Sequence, residues 1–158
     1  MIEAVQIKYR EGCKYQLTEP VLFRVPIYPP AWISTDDGSV TLSPSGDLSF
    51  KGTYAWDGPS GPTLDTKGAM PGSLGHDGLY QLIRQGKLDP KWKEVADKWY
   101  EERVRFDSGV RIRRDFPKVQ AILVPITSAR ASAHFGALRR FGSGSTKADA
   151  EPPVLTAP

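Results

Sequence analysis

Chemistry in this sequence is concentrated in Gly75-His76-Asp77-Gly78-Leu79-Tyr80. Imidazole is the natural general base near neutral pH. A carboxylate beside it can hold a divalent cation. On a helix, His76 and Tyr80 stand at i, i+4 and share a face. Asp77 lies about 100° around the axis from His76. An imidazole and a carboxylate thus project from adjacent positions near the start of one helix. The plainer reading is a partly buried histidine with a capping aspartate.

Two further features bear on that pair. Upstream, Tyr54-Ala55-Trp56-Asp57-Gly58-Pro59-Ser60-Gly61-Pro62 reads as a Gly-Pro loop that sets backbone carbonyls in an irregular array. Such carbonyls suit Ca²⁺, a hard cation that takes many oxygens, and Asp57 can add a charged ligand. Its ordinary alternative is a rigid turn between sheet and helix. Downstream, Asp97 follows Val95-Ala96 on the next expected helix. A short connection makes the two helices antiparallel neighbours. Asp97 can then come level with His76 and orient its ring, as a carboxylate does in a His-Asp pair. The alternative for Asp97 is an exposed helix acid.

The elements that must position these residues can be read from pattern and punctuation. In the first half, Gln16-Leu17 and Val21 to Ile27 read as strands made edge-like by Pro20 and Pro26. Trp32 to Thr35 and Val40 to Leu42 flank the turn Asp36-Asp37-Gly38. Ser43-Pro44-Ser45-Gly46 is a second turn, and Leu48, Phe50 and Thr53 to Trp56 continue a meander. In the second half, Gly72-Ser73 can open a helix at Leu74, with Leu74, Gly78, Leu79, Leu82 and Ile83 as its apolar stripe. Gly86 is its stop, and Asp89-Pro90 is the N-cap and first position of the next helix. Trp92, Val95, Ala96, Trp99 and Arg103 trace that helix's buried face. A third helix is expected between Phe116 and Phe141, kinked or started at Pro125.

The expected fold is therefore α+β. An N-terminal antiparallel β-meander precedes about three helices, two of them an antiparallel pair carrying the His-Asp site. One globular domain spans 1–141: β-rich over 1–56, a Gly/Pro loop over 57–72, helical over 73–141. The Gly-Ser-rich and then Ala-Pro-rich segment 142–158 reads as a disordered tail.

Composition excludes several classes. The chain has 158 residues, 39% hydrophobic and 25% charged, as in an ordinary globular protein. One cysteine, Cys13, excludes a disulfide framework and a Cys-based zinc cluster. Two histidines, His76 and His134, exclude a multi-His metal site. No run of about 18 apolar residues exists, so no transmembrane segment is expected. Met1-Ile2-Glu3-Ala4 has no basic region leading into an apolar one, so no signal peptide is expected. The net charge of +3 is mixed in sign along the chain, and no nucleic-acid motif accompanies the basic stretch Arg103 to Arg114. Nucleic acid is not an expected partner. Trp92, Trp99 and Tyr100 read as core rather than as a membrane-interface patch. Ser60 lacks a G-x-S-x-G setting, which argues against a serine-hydrolase elbow.

Two resemblances follow from these residues. Ala55-Trp56-Asp57-Gly58-Pro59-Ser60-Gly61-Pro62, then Gly72 through Leu82, then Ala96-Asp97, resembles an uncharacterised family of tailed phages and prophages, usually encoded among late genes. That resemblance covers roughly residues 51–142 and implies a phage context without an activity. It implies synthesis in the host cytoplasm, with virion or tail proteins as partners and the virion as a destination.

The second resemblance, more distant, is to calcium-dependent secreted phospholipases, including the form in parvovirus capsids. These carry a glycine-containing calcium loop, H-D-x-x-Y on a helix, and an aspartate on an antiparallel helix. The resemblance implies His76 as the base, Asp77 as a Ca²⁺ ligand, and Tyr80 and Asp97 as supports of the histidine. Loop carbonyls near Trp56, Gly58 and Ser60, with Asp57, would complete the metal site. Host membrane lipid would be the substrate. The loop here is Asp57-Gly58-Pro59-Ser60-Gly61 rather than a plain G-x-G, and the disulfides of the cellular enzymes are absent, as they are in the capsid type. The competing expectation is a non-catalytic virion, tail or host-interaction protein in which the same helix is a frame.

Overall fold

A computed structural model describes residues 9–10, 15–59, 68–115 and 125. Its class is α+β, as the patterning predicts. Seven short strands precede two long helices: β1 (Tyr9–Arg10), β2 (Tyr15–Leu17), β3 (Val21–Arg24), β4 (Ile33–Ser34), β5 (Val40–Leu42), β6 (Asp47–Phe50), β7 (Ala55–Trp56), α1 (Met70–Arg84) and α2 (Lys93–Asp115). A 3₁₀ turn, Pro90–Trp92, leads into α2. The third expected helix, over 116–141, and the expected tail, over 142–158, lie outside the described residues, Pro125 excepted.

The meander is corrected in its connectivity. The strands form two antiparallel sheets, not one: a three-stranded sheet in the order β1-β2-β7, and a four-stranded sheet in the order β3-β6-β5-β4. Only β4-β5-β6 run as a meander. β3 skips its sequence neighbours to pair with β6, matching Val21 to Phe50 and Phe23 to Leu48. The reason lies in side-chain period. Along β3, Val21 and Phe23 are buried while Leu22 and Arg24 are exposed. The β6 register puts Leu48 and Phe50 on that same inner face, and Val40 and Leu42 of β5 join them. A slip of one residue would turn every one of these to solvent.

Helix α1 lies across this face. It starts at Met70 rather than Leu74. Pro71 occupies its first turn, where a missing N–H costs nothing. It ends at Arg84, and Gly86 just beyond, with a φ of 66° and its N–H bonded to the Ile83 carbonyl, closes the last turn. Its three glycines, Gly72, Gly75 and Gly78, each cost about 1 kcal/mol of helix propensity against alanine. Burial of Leu74, Leu79, Leu82 and Ile83 offsets this, at about 1.5–3 kcal/mol each.

The glycines also set how close the layers come. A Cβ on Gly75 would stand 2.4 Å from the Trp99 ring of α2, and one on Gly78 2.5 Å from the Phe50 ring of β6. The run of contacts fixes the helix direction. Gly68 faces Ser108, Gly72 faces Tyr100 and Val104, Gly75 faces Trp99, and His76 meets Asp97. The pair is antiparallel, as the short connection predicts. No helix among the described residues is long and apolar enough to cross a membrane.

Candidate active site

Helix α1 carries His76, Asp77 and Tyr80 in its central turns, and α2 brings Asp97 to them. Asp89 accepts from the Lys91 N–H at 2.9 Å and so starts the 3₁₀ turn that aims α2 back along α1. Because Gly72 and Gly75 admit α2 so closely, the short Asp97 side chain reaches the ring. His76 Nε2 and Asp97 Oδ1 are 2.9 Å apart, and the Tyr80 hydroxyl donates to the same oxygen at 2.5 Å. Both site residues are buried, His76 to 5% exposure and Asp97 to 2%. The ring is sandwiched by aromatics, with centroids 4.0 Å from Tyr80 and 4.8 Å from Tyr100.

The Asp97 carboxylate has three donors. Lys93, one turn earlier on α2, donates to Oδ2 at 2.9 Å and stands 5.5 Å over the Tyr80 ring. Burial opposes ionisation of Asp97, but the bonds from His76, Tyr80 and Lys93 outweigh it and hold the carboxyl down at about 2. Asp97 is therefore an anion at neutral pH. An anion on Nε2 makes that nitrogen the protonated one, so the lone pair of neutral His76 lies on Nδ1. Burial pushes the Tyr80 hydroxyl well up, and Asp97 adds to it, so Tyr80 stays a donor.

Nδ1 points to the other side of the ring. Asp77 Oδ1 lies 3.9 Å from it, beyond hydrogen-bond reach. Asp77 is the exposed member of the group, with about a third of its side chain, 32%, open to solvent. Desolvation raises its carboxyl pKa, and the charge of Asp57 adds to the rise; His76 and Arg84 act against it. Burial lowers the His76 pKa, but the carboxylates of Asp77 and Asp97 prevail and the net shift is upward.

The start of the candidate loop is tied to α1. Trp56, on β7, is buried; its indole N–H donates to Ser73 of α1 at 3.0 Å, and the Ser73 hydroxyl donates on to the Met70 carbonyl. This ties the start of the loop to the His-Asp helix. Tyr54 extends the tie, donating to Gln81 at 3.0 Å. Asp57 is exposed. Gly58 has a φ of 79°, and a Cβ there would stand 2.5 Å from the Tyr15 ring, so only glycine fits this step. Ser60 lies outside the described residues, as do Cys13 and His134.

The structure thus brings His76, Asp77, Tyr80 and Asp97 together and sets Asp57 within the electrostatic reach of Asp77. Among the described residues no three His, Cys, Asp or Glu side chains are grouped to hold a metal. Two residues escaped the sequence reading. Tyr100 was assigned to the core and also stacks on the histidine. Lys93 was not singled out, and its i, i+4 spacing to Asp97 was the signal that pointed to it.

The basic stretch is a helix side. Arg103 is buried and paired to Asp107 at 2.7 and 2.9 Å, and Arg105 pairs with Glu101 at 2.5 Å. No protein-family model, curated protein or solved structure matches the chain.

Proposed function

We propose that the chain is a phage-encoded, calcium-dependent ester hydrolase acting on phospholipid of the host envelope. The observation that carries this reading is the asymmetry of the His76 ring. One nitrogen bonds a buried anion at 2.9 Å, and the other is turned to the half-open side at Asp77. A general base needs a lone pair on one nitrogen and a partner that fixes which nitrogen has it. Asp97 is that partner. Nδ1 takes a proton from water, and the imidazolium that forms is stabilised by Asp97 and Asp77. Tyr80 donates to the same Asp97 oxygen and helps hold it at the ring.

Asp77 and Asp57 fit a hard cation. Both are oxygen donors, and the charge of Asp57 already disfavours ionisation of Asp77, a cost that a bound cation removes. Carbonyls of Trp56, Gly58 and Ser60 are the remaining candidate ligands. Bound Ca²⁺ would supply positive charge opposite a developing oxyanion. Synthesis in the host cytoplasm, with the virion as a destination, belongs to the same proposal.

The test is calcium titration by calorimetry, on the wild type and on Asp77→Asn. Heat of binding lost in Asp77→Asn is expected, followed by hydrolysis of phospholipid vesicles that His76→Gln abolishes. Binding indifferent to Asp77, or no heat at all, sinks the calcium mechanism.

A second reading has its own observation. From Val21 to Pro30 the chain alternates buried and exposed residues, and its outer side carries Leu22 (54% exposed) and Tyr28 (58%), with Trp32 (69%) just beyond. Joined into one patch, such groups would form a contact surface. A virion or tail component would use them and leave His76 as frame. That reading predicts co-sedimentation with purified virions, released by Trp32→Ser and untouched by His76→Gln.

A further inference from the structure

Lys93 has no place in the chemistry above, yet it touches the residue on which that chemistry depends. Asp97 Oδ1 accepts from both His76 and Tyr80, while Oδ2 accepts from Lys93. Lys93 and Asp97 together line a surface depression of about 440 Å³, with Pro90, Lys91 and Glu94. Lys93 forms an i, i+4 ion pair with Asp97 at 2.9 Å. Its side chain is 23% exposed, so its stem packs while its ammonium closes Oδ2 against the depression.

We propose that Lys93 is a positioning residue for the His76 base, fixing the Asp97 carboxylate from the solvent side so that one oxygen alone serves His76 and Tyr80. The inference rests on the hydrolase reading and extends it to a group on the far side of the carboxylate. A carboxylate held at one oxygen only can rotate about its Cβ–Cγ bond and exchange oxygens. With Lys93 on Oδ2 that rotation must break a charge-assisted bond at both ends. The ammonium also occupies the place from which water in the depression would compete for Asp97. Its 5.5 Å approach to the Tyr80 ring presses the same cation on the second donor's ring. A solvated surface pair would need neither the buried acceptor nor the shared aromatic neighbour.

The experiment uses the full chain, ¹⁵N-labelled, at pH 8, with Lys93→Met, Lys93→Gln and Lys93→Arg. The ring nitrogens of His76 report its tautomer directly, assigned against His134 by His76→Gln. The expected wild type is the Nε2–H form with a proton protected from solvent exchange. Lys93→Met and Lys93→Gln are expected to mix the tautomers and speed exchange of that proton at least tenfold, and Lys93→Arg to restore both. On vesicles of phosphatidylglycerol, Lys93→Met is expected to lower kcat about tenfold at unchanged KM, the size of one lost hydrogen bond to a charged group.

An unchanged tautomer and exchange rate in Lys93→Met overturns the proposal. Loss of folding in Met and Gln with Arg intact also overturns it, since Lys93 would then support the fold instead. A wild type that hydrolyses nothing sinks the hydrolase reading alone, because the proton signal decides Lys93 without turnover.

Discussion

The two sides of the His76 ring are built on opposite principles. On the Asp97 side every polar group is answered: one carboxylate, three donors, a closed aromatic wall and an ammonium over the outer oxygen. On the Asp77 side the nearest oxygen stands 3.9 Å away, and the charge of Asp57 works against ionisation of Asp77. A purely structural histidine gains most when both nitrogens are satisfied. A base gains when one nitrogen is fixed and the other is left with work to do. The difference between the two sides is therefore the strongest physical argument against reading the helix as frame.

The largest effect should come from breaking the closed side. Asp97→Ala leaves the Lys93 ammonium, the Tyr80 hydroxyl and the imidazole without their acceptor. Removing one partner of a buried ion pair costs about 3–5 kcal/mol, so urea unfolding should show a loss of that order. Asp97 also sets a pH window. Its folded pKa is depressed to about 2, so its contribution is present above the unfolded value and is lost as pH falls towards 2. The stability difference between wild type and Asp97→Ala should be present at about pH 4 and shrink below it. A difference that fails to shrink in acid would refute the anion assignment.

How far this arrangement could be read in advance depends on how local its causes are. Gly86 and Asp89-Pro90 act through their own backbone chemistry: α1 stops just before Gly86, while Asp89-Pro90 opens a 3₁₀ turn and α2 itself begins at Lys93. The His76–Asp97 meeting was legible because a short loop leaves two amphipathic helices one way to pack. The β3–β6 pairing was not, because the partner strands are separated by two others and only the shared inner face selects them. The start of α1 was missed because Gly72-Ser73 resembles a cap, while Pro71 in the first turn carries the same information more quietly. Lys93 was missed because a Lys-Asp pair at i, i+4 looks like any solvated helix pair until the acceptor is known to be buried.

Close approach of the helices is what lets so short a side chain as Asp97 reach the ring. Gly75→Ala tests it. The new Cβ would meet the Trp99 ring at 2.4 Å, and that ring is wedged against Phe23 at 5.7 Å, so it has little room to yield. Overpacking of this kind costs about 1–3 kcal/mol. Thermal unfolding should report the loss. Separation of the helices should also lengthen the His76–Asp97 bond, visible as faster exchange of the ring proton. Full retention of both would mean the glycine contact does not set the site.

The tie between β7 and α1 should matter less. Trp56→Phe keeps an aromatic ring against Tyr15, whose centroid lies 5.6 Å away, and removes the indole donor to Ser73. Ser73 keeps its donation to the Met70 carbonyl, while its own hydroxyl oxygen loses the indole donor. A loss of about 1 kcal/mol is expected, measured by urea titration. A loss several times larger would show that the indole bond, rather than the sheet pairing of Tyr15 with Trp56, anchors the loop.

Asp77→Asn should have the smallest effect on stability, and its sign is the informative part. The Asp77 pKa is raised in the folded state, first by desolvation and then by Asp57. A raised pKa means the fold prefers the neutral carboxyl: the contribution to stability is full below the unfolded pKa and is lost as pH rises through the folded one. Ionising Asp77 is thus a burden on the fold, so a neutral amide of the same shape should leave the melting temperature equal to or slightly above that of the wild type. The gap should close as pH is lowered to about 4. Calcium should invert the order, raising the wild-type melting temperature and leaving Asp77→Asn unmoved, since only a state that binds ligand is stabilised by it. A variant less stable than wild type without calcium would mean that Asp77 is a satisfied structural anion. The two sides of the ring would then be alike, and the asymmetry on which the hydrolase reading rests would be gone.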